Sequence, residues 1–189
     1  MKQDKKPHLI VLRHGQSDHN VQERYNSNPQ HPAYFISHLT ERGKMQIHQI
    51  GEQLLAQGLD CATIKKAYVS PLPRAIETAQ LLADMGVIPE HFSIDARLIE
   101  VNMGDREGKK YSEFPEDPWD HTKGHLYHGE TDDDVAQRTR ALLHEVRAQY
   151  PQDIIMFITH GTPVLTFLEL CTHQKRHSVD VAACMIFDC

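Results

Sequence analysis

Two histidines follow short apolar runs and precede glycines: His14 in "LIVLRHG" and His160 in "IIMFITHG". A neutral imidazole is a nucleophile toward phosphorus. A phosphoryl group in transfer needs fixed positive charge around three oxygens. Arginine supplies that charge with a planar fork that binds phosphate bidentately and stays protonated. Arg13 stands beside the first histidine, and Arg74 lies in "SPLPRA". A place in the first turn of a helix would add the helix dipole to the pull of Arg74 on an anion. Asn20 can contribute an amide donor. Gly15 and Gly161 would let backbone approach a ligand closely. A protonated His160 would help hold the transferring group. The combination points to phosphoryl transfer with His14 as nucleophile.

These side chains need rigid elements behind them. Leu9 to Leu12 and Ile154 to Ile158 are continuous apolar runs, as in strands buried on both faces. Thr40 caps a predicted helix that carries Ile47, Ile50, Leu54 and Leu55 at helical spacing and stops at Gly58. A strand is predicted at Ala67 to Val69. Ser70 and Pro71 then read as N-cap and first helical position. Leu72, Ala75, Ile76, Ala79 and Leu82 share one face of that helix, and Gly86 ends it. Residues 26–38 read as a loop. "HFSIDARLIE" is an extended approach to Glu100. Residues 102–130 have little periodicity, and a loop of that length suits a lid or specificity element. Thr131 and Asp134 fit a capping box at the start of a helix that runs to about Tyr150, with Val135, Leu142 and Val146 inward. A helix over 162–171 and a strand over 181–187 complete the chain. The alternation predicts an α/β fold, α/β/α in three layers around a mostly parallel sheet. Ligands of such sheets bind beyond the carboxyl ends of the strands, where His14 and His160 stand.

The 189 residues suit one domain over 1–189. A net charge of −6 argues against a nucleic-acid binder. No apolar run approaches membrane-spanning length or forms a signal segment, so a cytoplasmic protein with no membrane partner is expected. Cys61, Cys171, Cys184 and Cys189 show no paired spacing and read as thiols. His121, His125 and His128 have spacings that invite a metal reading, but Gly124 weakens a helix there and no fourth ligand is evident. They are expected to face solvent or substrate.

Motifs in order along the chain resemble the histidine phosphatase superfamily, the phosphoglycerate mutase-like family. They are "LRHGQSDHN", "LTERG" at 39–43, "SPLPRA" at 70–75, "LIEVNMGDREG" at 98–108, "GETDDDVAQR" at 129–138 and "ITHG" at 158–161. The resemblance implies the phosphoglycerate mutase-like fold and a phosphohistidine on His14. Arg13, Arg74 and His160 would line the phosphate pocket, with Asn20, Gly15, Gln16, Ser17, Gly161 and Thr162 as the substrate-binding set. Glu100 would protonate the leaving oxygen and then activate water, whereas Glu107 falls on a structural Glu-Gly pair. The resemblance also implies no metal and no other cofactor.

The expected activity is hydrolysis of a phosphomonoester of a phosphorylated small molecule. The alternatives are a phosphoglycerate-type mutase and a non-catalytic phospho-ligand-binding protein. Family mutases usually carry a C-terminal tail that covers the site, and here the last predicted strand is followed by no such segment. The presence of all five catalytic candidates argues against a non-catalytic role. Lys109, Lys110 and Lys123 are candidates for a second anionic group. The expected assembly is a monomer or a homodimer.

Overall fold

The computed structural model describes residues 9–188. The segment before residue 9 and Cys189 lie outside the described residues. Five strands form one sheet: β1 (Leu9–Arg13), β2 (Ile64–Val69), β3 (Ser93–Ile94), β4 (Ile154–Thr159) and β5 (Cys184–Phe187), in the order β3-β2-β4-β1-β5. β1 runs parallel to β4, β2 runs parallel to β3 and β4, and only the β1–β5 pairing is antiparallel. Every residue of β1 and β4 is buried. Covering helices on both faces leave no solvated side for polar residues, hence the unbroken apolar runs.

The helices are α1 (Asp18–Gln22), α2 (Glu41–Ala56), α3 (Pro73–Asp84), α4 (Asp132–Gln149) and α5 (Gly161–Thr172). Alternate strand residues face opposite layers. Ile10, Leu12, Met156 and Ile158 pack with Ile47 and Leu54 of α2 and Ala75, Ala79 and Leu82 of α3. Leu9, Val11, Ile155 and Phe157 pack with Leu142 and Val146 of α4 and Val164 and Phe167 of α5. The result is three layers, α/β/α. Among the described residues, no helix is long and apolar enough to cross a membrane.

The Thr40 cap is present, with its hydroxyl accepting the Gly43 amide at 3.0 Å. The Thr131–Asp134 capping box is also present. The predicted cap at Ser70 is not. Leu72 is the N-cap of α3 and Pro73 its first residue; the Ser70 hydroxyl accepts the Leu72 amide at 3.3 Å, ahead of the helix, and bonds His160 at 2.6 Å. Proline at that position loses only an amide that a helix start leaves unused. α1 has no counterpart in the sequence reading, since five residues show no helical period. "HFSIDARLIE" is extended only over β3 and then turns through a short 3₁₀ helix at Ala96–Leu98. Residues 102–130 fold as a loop with three further 3₁₀ turns.

Candidate active site

β1 and β4 are neighbours, but α2, which lies between β1 and β2 in the chain, packs on one face and α5, which follows β4, packs on the other. A crevice opens at their carboxyl ends, the place where such sheets bind ligands. His14 leaves β1 with its amide bonded to the Thr159 carbonyl at 3.0 Å. His160 leaves β4 beside it, with ring centroids 5.0 Å apart.

The His14 ring is 1 % exposed. Its Nδ1 lies 2.7 Å from the Gly15 carbonyl, which only accepts, so Nδ1 carries the hydrogen. Nε2 is then the basic nitrogen, and Arg74 Nε donates to it at 3.1 Å. Burial, then Arg74 and Arg13, holds the His14 pKa well below its usual value. The ring therefore stays neutral and nucleophilic at physiological pH. Arg74 is completely buried and is fixed by Asn26, whose Oδ1 accepts Nη1 at 2.9 Å and whose carbonyl accepts Nη2 at 2.8 Å. Burial pulls its pKa down to about 10, so it remains a cation at neutral pH. Arg13 donates Nη1 to the Val179 carbonyl and lies over the Trp119 ring at 5.1 Å. Its buried Nε has no partner among the described residues.

His160 departs from the charged form considered above. Burial, then Arg74 and the neighbouring histidines, keeps its pKa well below the usual value. Ser70 Oγ accepts the Leu72 amide at 3.3 Å, and with no other acceptor for its hydrogen among the described hydrogen bonds it is assigned as donor to His160 Nε2. Nδ1 then carries the ring hydrogen and is buried without a partner. A neutral donor thus stands beside His14.

Glu100 sits at the start of α5. Its Oε2 accepts the Gly161 amide at 3.0 Å, and its Oε1 accepts the Thr162 amide at 3.2 Å and the Val101 amide at 3.0 Å. Gly161 has no room for a side chain: a Cβ would lie 2.5 Å from the Trp119 ring. The Gly161 and Thr162 amides therefore hold Glu100, and Trp119 packs over them. Gly15 serves backbone packing as well. A Cβ there would lie 2.5 Å from the Gly43 carbonyl oxygen, and a Cβ on Gly43 would lie 2.0 Å from that of Gln16. The Gln16 Oε1 accepts the Thr40 hydroxyl at 3.0 Å. Ser17 is buried against His19 and Asn20. Glu107 accepts the Ser27 amide at 2.8 Å and hydroxyl at 2.9 Å, a loop anchor.

Arg13, Asn20, Glu100 and Thr162 line a cavity of about 130 Å³, together with His19, Tyr25, Asn26, Tyr111, Trp119 and His121. Of the last six, His121 was expected to face solvent or substrate, and the other five were not among the sequence candidates. His19 is buried 5.7 Å from His14, and burial keeps its pKa well below the usual value. One more histidine among 14 carried no signal. His121 is buried and bonded to the Thr162 hydroxyl at 3.1 Å, while His125 and His128 are exposed and His128 pairs with Asp105. The three do not converge on a metal. Lys109, Lys110 and Lys123 are exposed and do not line the cavity.

Arg13 and the Glu100 carboxyl group line the cavity, whereas the neutral His14 imidazole, Arg74 and His160 do not line it and are buried beside it, next to the lining residues His19 and Asn26. The chain belongs to the histidine phosphatase superfamily (branch 1), whose family model matches residues 9–184. It is 30 % identical to a 2,3-bisphosphoglycerate-dependent phosphoglycerate mutase of Thermoplasma acidophilum, over 82 % of this chain and 71 % of that one. It is 29 % identical to phosphoserine phosphatase 1 of Hydrogenobacter thermophilus, over 82 % and 72 %. The solved structure of Bacillus stearothermophilus YhfR superposes with a TM-score of 0.70 at 28 % identity, over 88 % of this chain and 80 % of that one.

Proposed function

We propose that the chain is a metal-independent phosphatase of a small phosphomonoester, working through a phosphohistidine on His14. The observation that carries this reading is the tautomer of His14, with Nδ1–H tied to Gly15 and the basic Nε2 fronted by Arg74. In the first step Nε2 forms a bond to phosphorus as the ester P–O bond breaks. Arg13, Arg74 and the His160 Nδ1–H hold the phosphoryl oxygens, and protonated Glu100 gives its proton to the leaving alcohol. In the second step Glu100 takes a proton from water, the water oxygen bonds to phosphorus, and the P–N bond breaks. Phosphate leaves, and His14 and protonated Glu100 are restored. Asn20 adds an amide toward the ligand.

A mutase must also shield the phosphohistidine from water and hold its ester in two orientations. Hydrolysis asks only for the groups present at the crevice. The reading is tested by phosphate release from an aryl phosphate with a chelator present, for the native chain and His14→Ala. Chelator-insensitive turnover that vanishes in the variant supports it. Turnover that survives His14→Ala, or that requires a metal, overturns it. Interconversion of 2- and 3-phosphoglycerate without phosphate release would establish the mutase instead. Glu100→Gln should slow an alkyl phosphate far more than an aryl one, because only the poor leaving group needs the proton.

A further inference from the structure

Most hydroxyl, amide, imidazole and carboxyl groups on the cavity wall already have partners. Asn20 accepts the Ser17 amide at 3.1 Å, and Asn26 accepts from Arg74. His19 Nδ1 lies 2.8 Å from the Ser17 hydroxyl. His121 and Thr162 bond each other, and Tyr25 turns its hydroxyl to Arg106. Glu100 accepts three backbone amides. Tyr111 is the exception: it lines the cavity, and its hydroxyl has no hydrogen-bond partner among the described residues. The residue is nonetheless firmly placed. It opens a short 3₁₀ helix, Tyr111–Glu113, and its amide donates to the Glu23 carbonyl at 2.9 Å. Its ring meets that of Tyr25 edge-on, with centroids 4.8 Å apart, and packs on the apolar cluster of Val101 and Met103. Burial pushes its pKa up to about 12, so it is a neutral O–H donor at physiological pH.

A hydroxyl drawn from bulk water without a protein partner is costly, and a ligand oxygen removes that cost. The identity of that oxygen follows from the layout of the site. Arg13, Arg74 and His160 serve the phosphoryl oxygens, and Arg74 and His160 are buried beside the cavity and not on its wall. The enclosed space is left for the alcohol, and for the water that follows it. Glu100 stands on the same wall, and Tyr111 lies within electrostatic reach of both Arg13 and Glu100. We propose that Tyr111 is a further catalytic residue, its hydroxyl donating to the oxygen that leaves phosphorus in the first step and to the water oxygen that attacks in the second. As Nε2 of His14 bonds to phosphorus and the ester P–O bond breaks, the proton of Glu100 goes to the departing oxygen. Tyr111 keeps its own proton and gives a hydrogen bond that strengthens as charge builds on that oxygen. The second step is the same exchange in reverse, with water in place of the alcohol. Water gives one proton to Glu100, its oxygen bonds to phosphorus, the P–N bond breaks, and the same hydroxyl faces the same position.

This role rests on the phosphatase reading, and a matched pair of esters separates the two. Phenyl phosphate and 4-nitrophenyl phosphate present the same phosphoryl group on the same ring and differ in how well the departing oxygen bears charge. Tyr111→Phe should lower kcat/KM by about tenfold or more for phenyl phosphate and by less than about threefold for 4-nitrophenyl phosphate. Single-turnover decay of the phosphohistidine should slow by about tenfold whichever ester formed it. Phenylalanine keeps the ring contact with Tyr25 and the amide bond to Glu23, so the melting curve should not move. 3-Fluorotyrosine in place of Tyr111 tests the role without removing the group: the more acidic phenol should narrow the gap between the two esters. An equal loss on both esters in Tyr111→Phe overturns the proposal, because the hydroxyl would then serve the phosphoryl group or the shape of the cavity. No loss on phenyl phosphate, or an unchanged gap with 3-fluorotyrosine, overturns it as well, and each of these leaves the phosphatase intact. A native chain that releases no phosphate from either ester in a His14-dependent way would overturn the phosphatase reading, and this role with it.

Discussion

His14, His19 and His160 are buried together as neutral rings, and this makes the fold sensitive to mild acid. The folded-state pKa of each lies well below the 6.5 of an ordinary histidine, chiefly through burial. Below pH 6.5 the unfolded chain therefore binds more protons than the folded one. Stability is full above that pH and is lost as pH falls from it toward the folded-state values. The slope approaches about 1.4 kcal/mol per pH unit for each group, and over the first unit below 6.5 each loses about 1 kcal/mol, so three lose roughly 3 kcal/mol there. That is a large part of the roughly 5–15 kcal/mol that holds an ordinary domain. His121, whose pKa burial also lowers, acts in the same direction. The exposed His38, whose pKa Glu77 raises, acts in the opposite one with a small, solvent-screened effect. Urea unfolding between pH 7.5 and 5.5 reads the slope directly, above the range where most carboxylates titrate. His19→Gln should remove about one third of it. Saturating phosphate should flatten it, because a bound dianion favours protonated neighbours. A pH-independent stability over this window, or an unchanged slope in His19→Gln, would refute the neutral cluster.

Arg74→Lys cannot reproduce the three hydrogen bonds to His14 and Asn26. It should lower kcat by about 10²–10³-fold and cost roughly 1–3 kcal/mol from unsatisfied Asn26 acceptors, read by steady-state kinetics and urea unfolding. Gly161→Ala drives a Cβ into Trp119. It should destabilise by about 1–3 kcal/mol and lower kcat/KM by disturbing Glu100 and Arg13, with an unchanged melting curve and activity as the contrary result. Trp119 is the sole tryptophan and stacks on Arg13. Titration with vanadate should therefore change the intrinsic fluorescence, and a silent titration would place the ring away from the ligand.

Much of the scaffold was legible because burial on both faces of β1 and β4 left a plain trace of apolar residues. Thr40 and the Thr131–Asp134 pair were readable as caps, since that chemistry is local. Ser70 was misread for the complementary reason. Its hydroxyl bonds His160, 90 positions away, as well as the Leu72 amide, and no local pattern records the distant bond. The same holds at the crevice. Arg13, His14, Arg74 and His160 were candidates because of their positions at strand and helix ends, and Glu100 because of the family resemblance. His19 comes from the short α1 and Tyr25 from just after it, while Asn26, Trp119 and His121 reach the cavity because the loops over 26–38 and 102–130 fold back on the sheet. The charge on His160 was not readable either, because it depends on burial and on neighbours brought in from other strands.

Gly43 never meets the ligand cavity, yet its backbone fits against Gln16 so closely that neither it nor Gly15 tolerates a side chain. The "LTERG" segment is in this sense a keyway cut for the strand that carries the nucleophile. A variant there would misplace His14 without altering any reacting group. A screen scored on turnover alone would rank Gly43 among the chemical residues, and only a structural readout would return it to the frame.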